Sequence, residues 1–364
     1  MTETEILVIG GGPAGLRAAA AAGELGAQVL VIEEMDWLGG QLVKQTHKFF
    51  GSKEQYASRR GIDIARILAG ELENHDRVTV WTGAPVLGIY EDGMVTAQKD
   101  NRHVKIKPQR IIVATGAAEK VLPFPNNDLP GVYGAGAVQT LMNLHGVLPG
   151  RRVLMVGAGN IGLIVSYQLL QAGVEVAAVI EGAAHIGGYL VHAAKIRRAG
   201  VPILTRHTIK EAQGREVVEG AVIQQLDENW QPVPGTEQQL EVDVICLAVG
   251  LTPLADLLWQ AGCEMRFIPE LGGHVPYRNR LLETTRPGIY VAGDVAGVEE
   301  ASAAMVEGRL AGLAAARSLG YGGPEAEAYL EDALRQLHAL RSGPAGEKIR
   351  RGLEKLETME GVPC

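Results

Sequence analysis

Apolar runs cut by glycine turns set the rhythm of this chain. Glu5 to Ile9 alternates loosely and then turns wholly apolar, the pattern of a strand buried in a parallel sheet. Gly10, Gly11, Gly12, Pro13, Ala14 and Gly15 follow at once. An Ala-rich stretch from about Gly15 to Leu25 predicts a helix, Gly26 stops it, and Gln28 to Glu33 predicts the next strand. The same order returns downstream. Arg152 to Val156 reads as a strand, and Gly157, Ala158, Gly159, Asn160, Ile161 and Gly162 form the turn. A helix runs to about Ala172, Gly173 ends it, and Val174 to Ile180 is a strand closed by Glu181.

The intervening pattern is less regular. Gln41 to Arg60 is polar and basic, and Ile62 to Glu73 predicts a helix. Val78 to Thr82, Pro85 to Tyr90, Met94 to Gln98 and Val104 to Lys107 read as strands, with hairpin turns at Asp92-Gly93 and Asp100-Asn101. They are expected to form a small antiparallel sheet inserted in the first unit. Arg110 to Ala114 reads as a separate buried strand ending at Thr115-Gly116, and Glu119 to Pro130 as a crossover. Beyond the second repeat come a helix near Val191 to Ala199, a strand near Pro202 to Thr205 and a meander from about Ile209 to Gln239. A strand over Asp243 to Ala248 then leads to Val249-Gly250. Pro287 to Ala292 predicts a strand meeting Gly293-Asp294, Ala301 to Ser318 a helix, and the charged tail two helical stretches around Ser342-Gly343-Pro344.

Each strand–turn–helix carries a chemical reading. Gly10 permits the tight turn, Gly12 removes a side chain where a pyrophosphate must come close, and Gly15 lets helix meet strand. Pro13 and Ala14 lie in the turn that leads into the helix, whose amino end has free N–H groups that favour phosphate oxygens. Glu33, at the end of the second strand, is placed to accept ribose hydroxyls. In the repeat, Gly157, Gly159, Asn160, Ile161 and Gly162 take these parts and Glu181 takes that of Glu33. Two dinucleotide sites in one chain suit a redox protein with one tightly held and one exchangeable cofactor. A carboxylate at Glu181 suits the free ribose hydroxyl of NADH and repels the added phosphate of NADPH, and no arginine directly follows it.

Composition narrows the class. The 364 residues are enough for two or three domains. A formal charge of -8 without a basic block argues against nucleic acid as the main ligand. Cys246, Cys263 and Cys364 make no paired motif and no metal-type spacing, so no metal site is expected and a reducing, cytoplasmic setting fits. No apolar run is long enough to predict a transmembrane segment, and no signal peptide is expected.

The glycine motifs with Glu33 and Glu181, the Thr115-Gly116 segment, Val249-Gly250 before Thr252-Pro253, and the stretch Thr285 to Asp294 together resemble one family. It is the two-dinucleotide-domain flavoproteins of the pyridine nucleotide-disulfide oxidoreductase superfamily, in the compact form similar to thioredoxin reductase. The resemblance implies an α/β fold with two Rossmann-like three-layer domains. FAD is held by residues 1–120 and 251–325, an NAD domain over 121–250 is inserted between them, and a helical tail covers 326–364. It implies that Gly40 and Gln41 lie near the flavin, that Gly293 and Asp294 meet its ribityl region, and that the chain forms a homo-oligomer. The reactive cysteine pair of the disulfide-reducing members is missing: Gln41 to His47 contains no cysteine, nor does Gly134 to Gln139. A second resemblance is to the FAD- and NAD-binding subunits of amine or opine dehydrogenases.

Hydride transfer from NADH to FAD, and onward to a partner protein, a quinone or a small acceptor, is the expected activity. The alternatives are one component of a multi-subunit opine or amine dehydrogenase, and a structural or regulatory flavoprotein subunit. Lys44 is the candidate to stabilise charge on reduced flavin and His47 the candidate proton donor. The Lys44 to Arg60 loop reads equally as a docking surface for an acidic partner or as a solvated loop. Its Phe49-Phe50 pair reads as an anchor or as local core. Glu307 is expected to be a surface acid, with a place at the flavin edge as the alternative.

Overall fold

The computed structural model describes residues 1–344 and 346–357. In chain order the elements are β1 Thr2–Ile9, α1 Pro13–Glu24, β2 Val29–Ile32, α2 Gly61–Glu73, β3 Val78–Trp81, β4 Val86–Ile89, β5 Val95–Lys99, β6 Arg102–Val113 and β7 Ala117–Glu119. There follow β8 Val132–Gly134, α3 Ala135–His145, β9 Arg152–Val156, α4 Asn160–Gln171, β10 Glu175–Glu181, α5 Leu190–Arg198, β11 Ile203–Thr205, β12 His207–Gln213, β13 Gly220–Gln225, β14 Gln238–Leu240, β15 Val244–Leu247 and β16 Leu251–Pro253. The chain closes with α6 Asp256–Gln260, β17 Met265–Ile268, β18 Gly273–Pro276, β19 Ile289–Val291, α7 Ala301–Ser318, α8 Glu325–Leu340 and α9 Glu347–Glu357. It divides into two compact units, one of Met1–Ala118 with the stretch from Thr252 onward, the other of Glu119–Leu251.

The first unit is built on a seven-stranded sheet of order β3-β2-β1-β6-β5-β4, with β19 also paired to β6. β6 corrects the expectation of a separate small sheet. It is one strand of 12 residues, not two. Along one side it runs parallel to β1; on the other its first half pairs antiparallel with β5 and its last three residues parallel with β19. Pro108 falls in the interval between those two partners and has no N–H to give. α1 and α7 pack together at backbone distance, because a Cβ on Gly308 or Gly312 would lie 2.0 Å from the carbonyl oxygen of Ala14 or 2.2 Å from that of Ala18. α8 covers this pair through Leu330, Ala333 and Leu337. α9 seals a smaller cluster with Ile268, Leu271 and Val275.

The second unit holds a five-stranded parallel sheet of order β11-β10-β9-β15-β8 and a three-stranded antiparallel sheet β12-β13-β14. The strand β8 and the helix α3 are elements that no sequence pattern announced. α3 buries few of its residues, so it shows little periodicity. Both motif helices start earlier than expected, at Pro13 and Asn160 rather than at Gly15 and Gly162.

Candidate functional site

In each unit three glycines stand at the strand-to-helix turn, and they are glycine for different reasons. Gly10 and Gly157 have φ near +110°, and a Cβ on them would strike the carbonyls of Ala114 and Ala248 at 2.4 and 2.3 Å. Gly15 and Gly162 would place a Cβ 1.8 and 2.0 Å from the oxygens of Gly10 and Gly157. Packing alone demands all four. Gly12 and Gly159 differ. Their backbones (φ -76°, ψ -177° and φ -72°, ψ 179°) suit any residue. A Cβ on Gly12 would meet only Gly40 Cα at 3.9 Å, and one on Gly159 nothing within 4 Å. Both sit at the N-caps of helices, and neither supplies a side-chain cap to the first N–H groups of α1, which opens with Pro13, or of α4. That is the form of a phosphate cradle.

The two acids are held identically. Glu33 accepts the N–H of Gly11 at 2.6 Å and of Met35 at 2.9 Å. Glu181 accepts those of Ala158 at 2.9 Å and Ala183 at 3.0 Å. Each carboxylate oxygen keeps a lone pair for a ribose hydroxyl. Burial pushes the Glu33 carboxyl above its ordinary value, against the pull of those two N–H groups.

A glycine pair then returns over each turn. The first was expected near the flavin; the second was missed in the sequence, although Leu38-Gly39-Gly40-Gln41-Leu42 and Ile186-Gly187-Gly188-Tyr189-Leu190 repeat one another. Gly39 donates to Gly11 O at 2.8 Å and Gly188 to Ala158 O at 3.0 Å. A Cβ on Gly40 would reach Gly12 Cα at 2.8 Å, and one on Gly188 the N of Asn160 at 2.9 Å. Asn160 spends its Oδ1 on the N–H of Tyr189 at 2.8 Å, so its part is to hold this loop. Ile161 is exposed.

Around the first turn the structure gathers Thr115, Gly293 and Asp294. The backbone N of Thr115 lies 3.4 Å from a Cβ built on Gly10, and a Cβ on Gly293 would touch that of Ala14 at 2.9 Å. Gly116 and Gly250 take positive φ at the ends of their strands, the latter in the second unit. Asp294 is pushed up to about 7 by desolvation and by the charges of Glu307 and Glu299, while the Glu299 N–H pulls it down. Gln41 is exposed. It opens, with Gly40, a short 3-10 turn through Lys44, a half-buried residue. His47 stacks on Phe49 at 5.3 Å, and Phe49 packs on the α1–α7 core, whereas Phe50 is exposed. The aromatic pair therefore splits between core and surface. The basic loop is folded back by an antiparallel backbone pairing of Lys48 with Arg60 and by Gln55, which donates to Gln336 of α8.

Glu307 corrects the surface reading: it is 3% exposed. One oxygen accepts the Gly293 N–H at 2.9 Å and the other an Arg341 N–H at 2.5 Å. Arg341, from the end of α8, also grips Glu299 through Nε and Nη2. Burial opposes the Arg341 charge, but the two carboxylates outweigh it and raise its pKa. In the second unit Glu119 caps α3, accepting from Gly136 at 2.6 Å and Ala137 at 3.3 Å.

Cys246 and Cys263 are buried free thiols, each pushed up by desolvation. Cys364 lies outside the described residues. Among those residues no cluster of His, Cys, Asp and Glu is arranged for a metal, and no helix is long and apolar enough to cross a membrane.

Comparison with known proteins agrees with this geometry. The profile of the pyridine nucleotide-disulphide oxidoreductases matches residues 4–308. An opine oxidase subunit from Agrobacterium tumefaciens (strain Ach5) is 29% identical over 86% of this chain and 66% of its own length. The alpha subunit of sarcosine oxidase from Corynebacterium sp. (strain P-1) is 28% identical over 88% of this chain and 33% of its own. The chain thus spans about two thirds of the first relative and about a third of the second. Among solved structures, L-proline dehydrogenase from P.horikoshii superposes with a TM-score of 0.69 at 25% identity, covering 92% of this chain and 59% of that one. T. acidophilum thioredoxin reductase, at 21% identity, shares the fold with a TM-score of 0.72 over 88% of this chain and 99% of its own. The chain belongs to the pyridine nucleotide-disulphide oxidoreductase family, flavoproteins that bind FAD and NAD(P).

Proposed function

We propose that the chain is an FAD-dependent oxidoreductase that takes hydride from NADH and passes electrons to a further acceptor without an intrachain dithiol. The observation that carries this reading is the pair Gly12 and Gly159, glycines that neither backbone nor packing requires and that a pyrophosphate does. FAD, bound at the first turn, supplies reversible two-electron chemistry between a nicotinamide and the acceptor.

The residues have distinct parts. The N–H groups at the start of α1 and α4 receive the pyrophosphates, and Glu33 and Glu181 receive the adenosine riboses. Thr115, Gly116, Gly293 and Asp294 line the flavin side, with Gly40 and Gln41 above the turn and Gly250 at its counterpart in the second unit. Lys44 is the group proposed to stabilise negative charge at the flavin, and His47 to hold a transferable proton. Glu181, with Gly182-Ala183-Ala184 after it, favours NADH over NADPH because no cation directly follows it to meet a 2′-phosphate.

The relatives favour a second reading. Opine oxidase and sarcosine oxidase subunits stand among them, so the chain is proposed to work as the flavin- and nicotinamide-binding subunit of a complex that oxidises an amine, opine or amino acid. An anaerobic titration of the purified protein with NADH, with NADPH in parallel, tests both. Loss of the visible flavin band at one NADH per flavin supports the first reading. A flavin that NADH leaves oxidised, but that an amine bleaches in the presence of a co-purifying subunit, supports the second. A protein that neither carries nor takes up FAD refutes both.

A further inference from the structure

Trp230 is 61% exposed, yet nothing about its turn is loose. The hairpin that bears it is closed by Asp227, whose Oδ1 accepts the N–H groups of Asn229 and Gln231, both at 2.8 Å. The backbone N–H groups of Asp227 and Trp230 add bonds to Gln231 O at 2.9 Å and Asp227 O at 3.2 Å. Trp230 itself has φ +63°, a left-handed conformation that a bulky aromatic residue rarely adopts. Strain of this kind persists where the surroundings impose it, and it concentrates at binding sites.

The hairpin is fixed to the end of β10. Leu226 donates to Arg206 O at 2.7 Å, and Arg206 donates to Ala183 O at 3.0 Å. The indole consequently lies over Gly182, the residue after Glu181. A Cβ built on Gly182 would meet Trp230 Cζ3 at 2.6 Å, Cη2 at 3.3 Å and Cε3 at 3.5 Å. Gly182 has no side chain of its own, and the Trp230 ring occupies the space that one would take. Gly182 directly follows Glu181, whose carboxylate is assigned to the adenosine ribose, the sugar to which the base is attached.

We infer that Trp230 is the platform on which the adenine of the nicotinamide dinucleotide stacks. The inference rests on the nicotinamide site proposed above. A flat, exposed and preorganised ring packed on the residue that follows the ribose acceptor fits a purine face, and stacking on it involves no charge. An apolar ring after Glu181, where a 2′-phosphate would need a cation, also fits the expected preference for NADH. The nearby cation, Arg206, faces Glu228 at 3.9 Å.

Binding of NAD+, ADP-ribose and nicotinamide mononucleotide to the FAD-loaded protein, followed by calorimetry and by tryptophan fluorescence, separates the possibilities. Trp230→Ala should raise the Kd for NAD+ and for ADP-ribose about ten-fold, as expected for a lost base stack. Trp230→Phe should recover most of that loss, and nicotinamide mononucleotide, which has no adenine, should bind all variants alike. Wild-type fluorescence should be quenched by ADP-ribose, and the quenching should vanish in Trp230→Phe. A wild-type protein that binds none of the dinucleotide probes overturns the nicotinamide site and this inference with it. NAD+ binding that Trp230→Ala changes less than about two-fold, or an equal loss for the mononucleotide, overturns the adenine platform alone.

Discussion

Replacing Arg341 by methionine tests whether the tail helices hold the flavin side of the first unit together. Methionine keeps the apolar stem and removes the charge. In the native protein the Arg341, Glu299 and Glu307 side chains are 12%, 11% and 4% exposed, and the guanidinium lies 2.5 Å from a carboxylate oxygen of each acid. Removing one member of a buried ion pair costs about 3–5 kcal/mol, because the remaining charge stays desolvated. Here two carboxylates would be left, partly compensated by Arg278, whose charge both of them feel. A loss of about 3 kcal/mol is therefore expected, or roughly 6–12 °C in Tm for a unit of this size. The loss should extend to flavin retention, because Glu307 carries the Gly293 N–H on its other oxygen. Thermal unfolding followed together by flavin release and tryptophan emission is the assay. Arg341→Met with Glu307→Gln should be more stable than Arg341→Met alone, since the second change removes one of the two stranded charges and leaves Glu299 to Arg278. A single-variant loss below about 1 kcal/mol, or a double variant no better than the sum of its parts, would refute the bracing argument.

Other expectations are simpler to state. Gly12→Val should leave the flavin-free protein folded, within about 1 kcal/mol of the parent, because its backbone angles suit valine. It should nevertheless abolish FAD retention, and near-normal FAD content would remove Gly12 from the cradle. Glu181→Ala should weaken NADH use more than NADPH use, read from the ratio of kcat/KM values; an unchanged ratio would detach Glu181 from selectivity. Asp294 holds its proton more tightly folded than unfolded, at about 7 against an ordinary 3.8. Its stabilising contribution is complete below the lower value and is lost as pH rises through the upper one. Flavin-free protein should lose stability over that window by an amount on the order of a few kcal/mol. Asp294→Asn should flatten the profile in denaturant melts, and an unchanged slope would count against a buried Asp294.

What was legible in the chain and what was not follows from how far apart the constraints lie. At Gly10 to Gly15 the tight turn, the close helix and the open cradle act on neighbouring residues, so one short motif carries all three. The acids Glu33 and Glu181 close strands that the apolar runs already mark. The same locality explains why the repeat of Gly39-Gly40 at Gly187-Gly188 was overlooked: their partners, Gly11 and Ala158, lie in another motif, and only the repeated five-residue pattern links them.

Glu307 shows the limit most clearly. It sits in α7, a helix buried on nearly every side, so periodicity offers no polar face from which to judge it. Its cation comes from Arg341, 34 residues on, across the whole of α8, and its second partner is a backbone N–H 14 residues back. Nothing in the local pattern separates such an acid from a solvated one. Trp230 is the converse case, an exposed aromatic in a polar turn whose ring packs on Gly182, the residue just past the end of β10. In both, the informative fact is the absence of a side chain or a charge at one place and its supply from another. The first unit recruits its tail to hold Gly293, and the second recruits its antiparallel sheet to furnish Gly182 with a ring. The glycine turns therefore stay alike in the two units, while the elements packed around each turn differ.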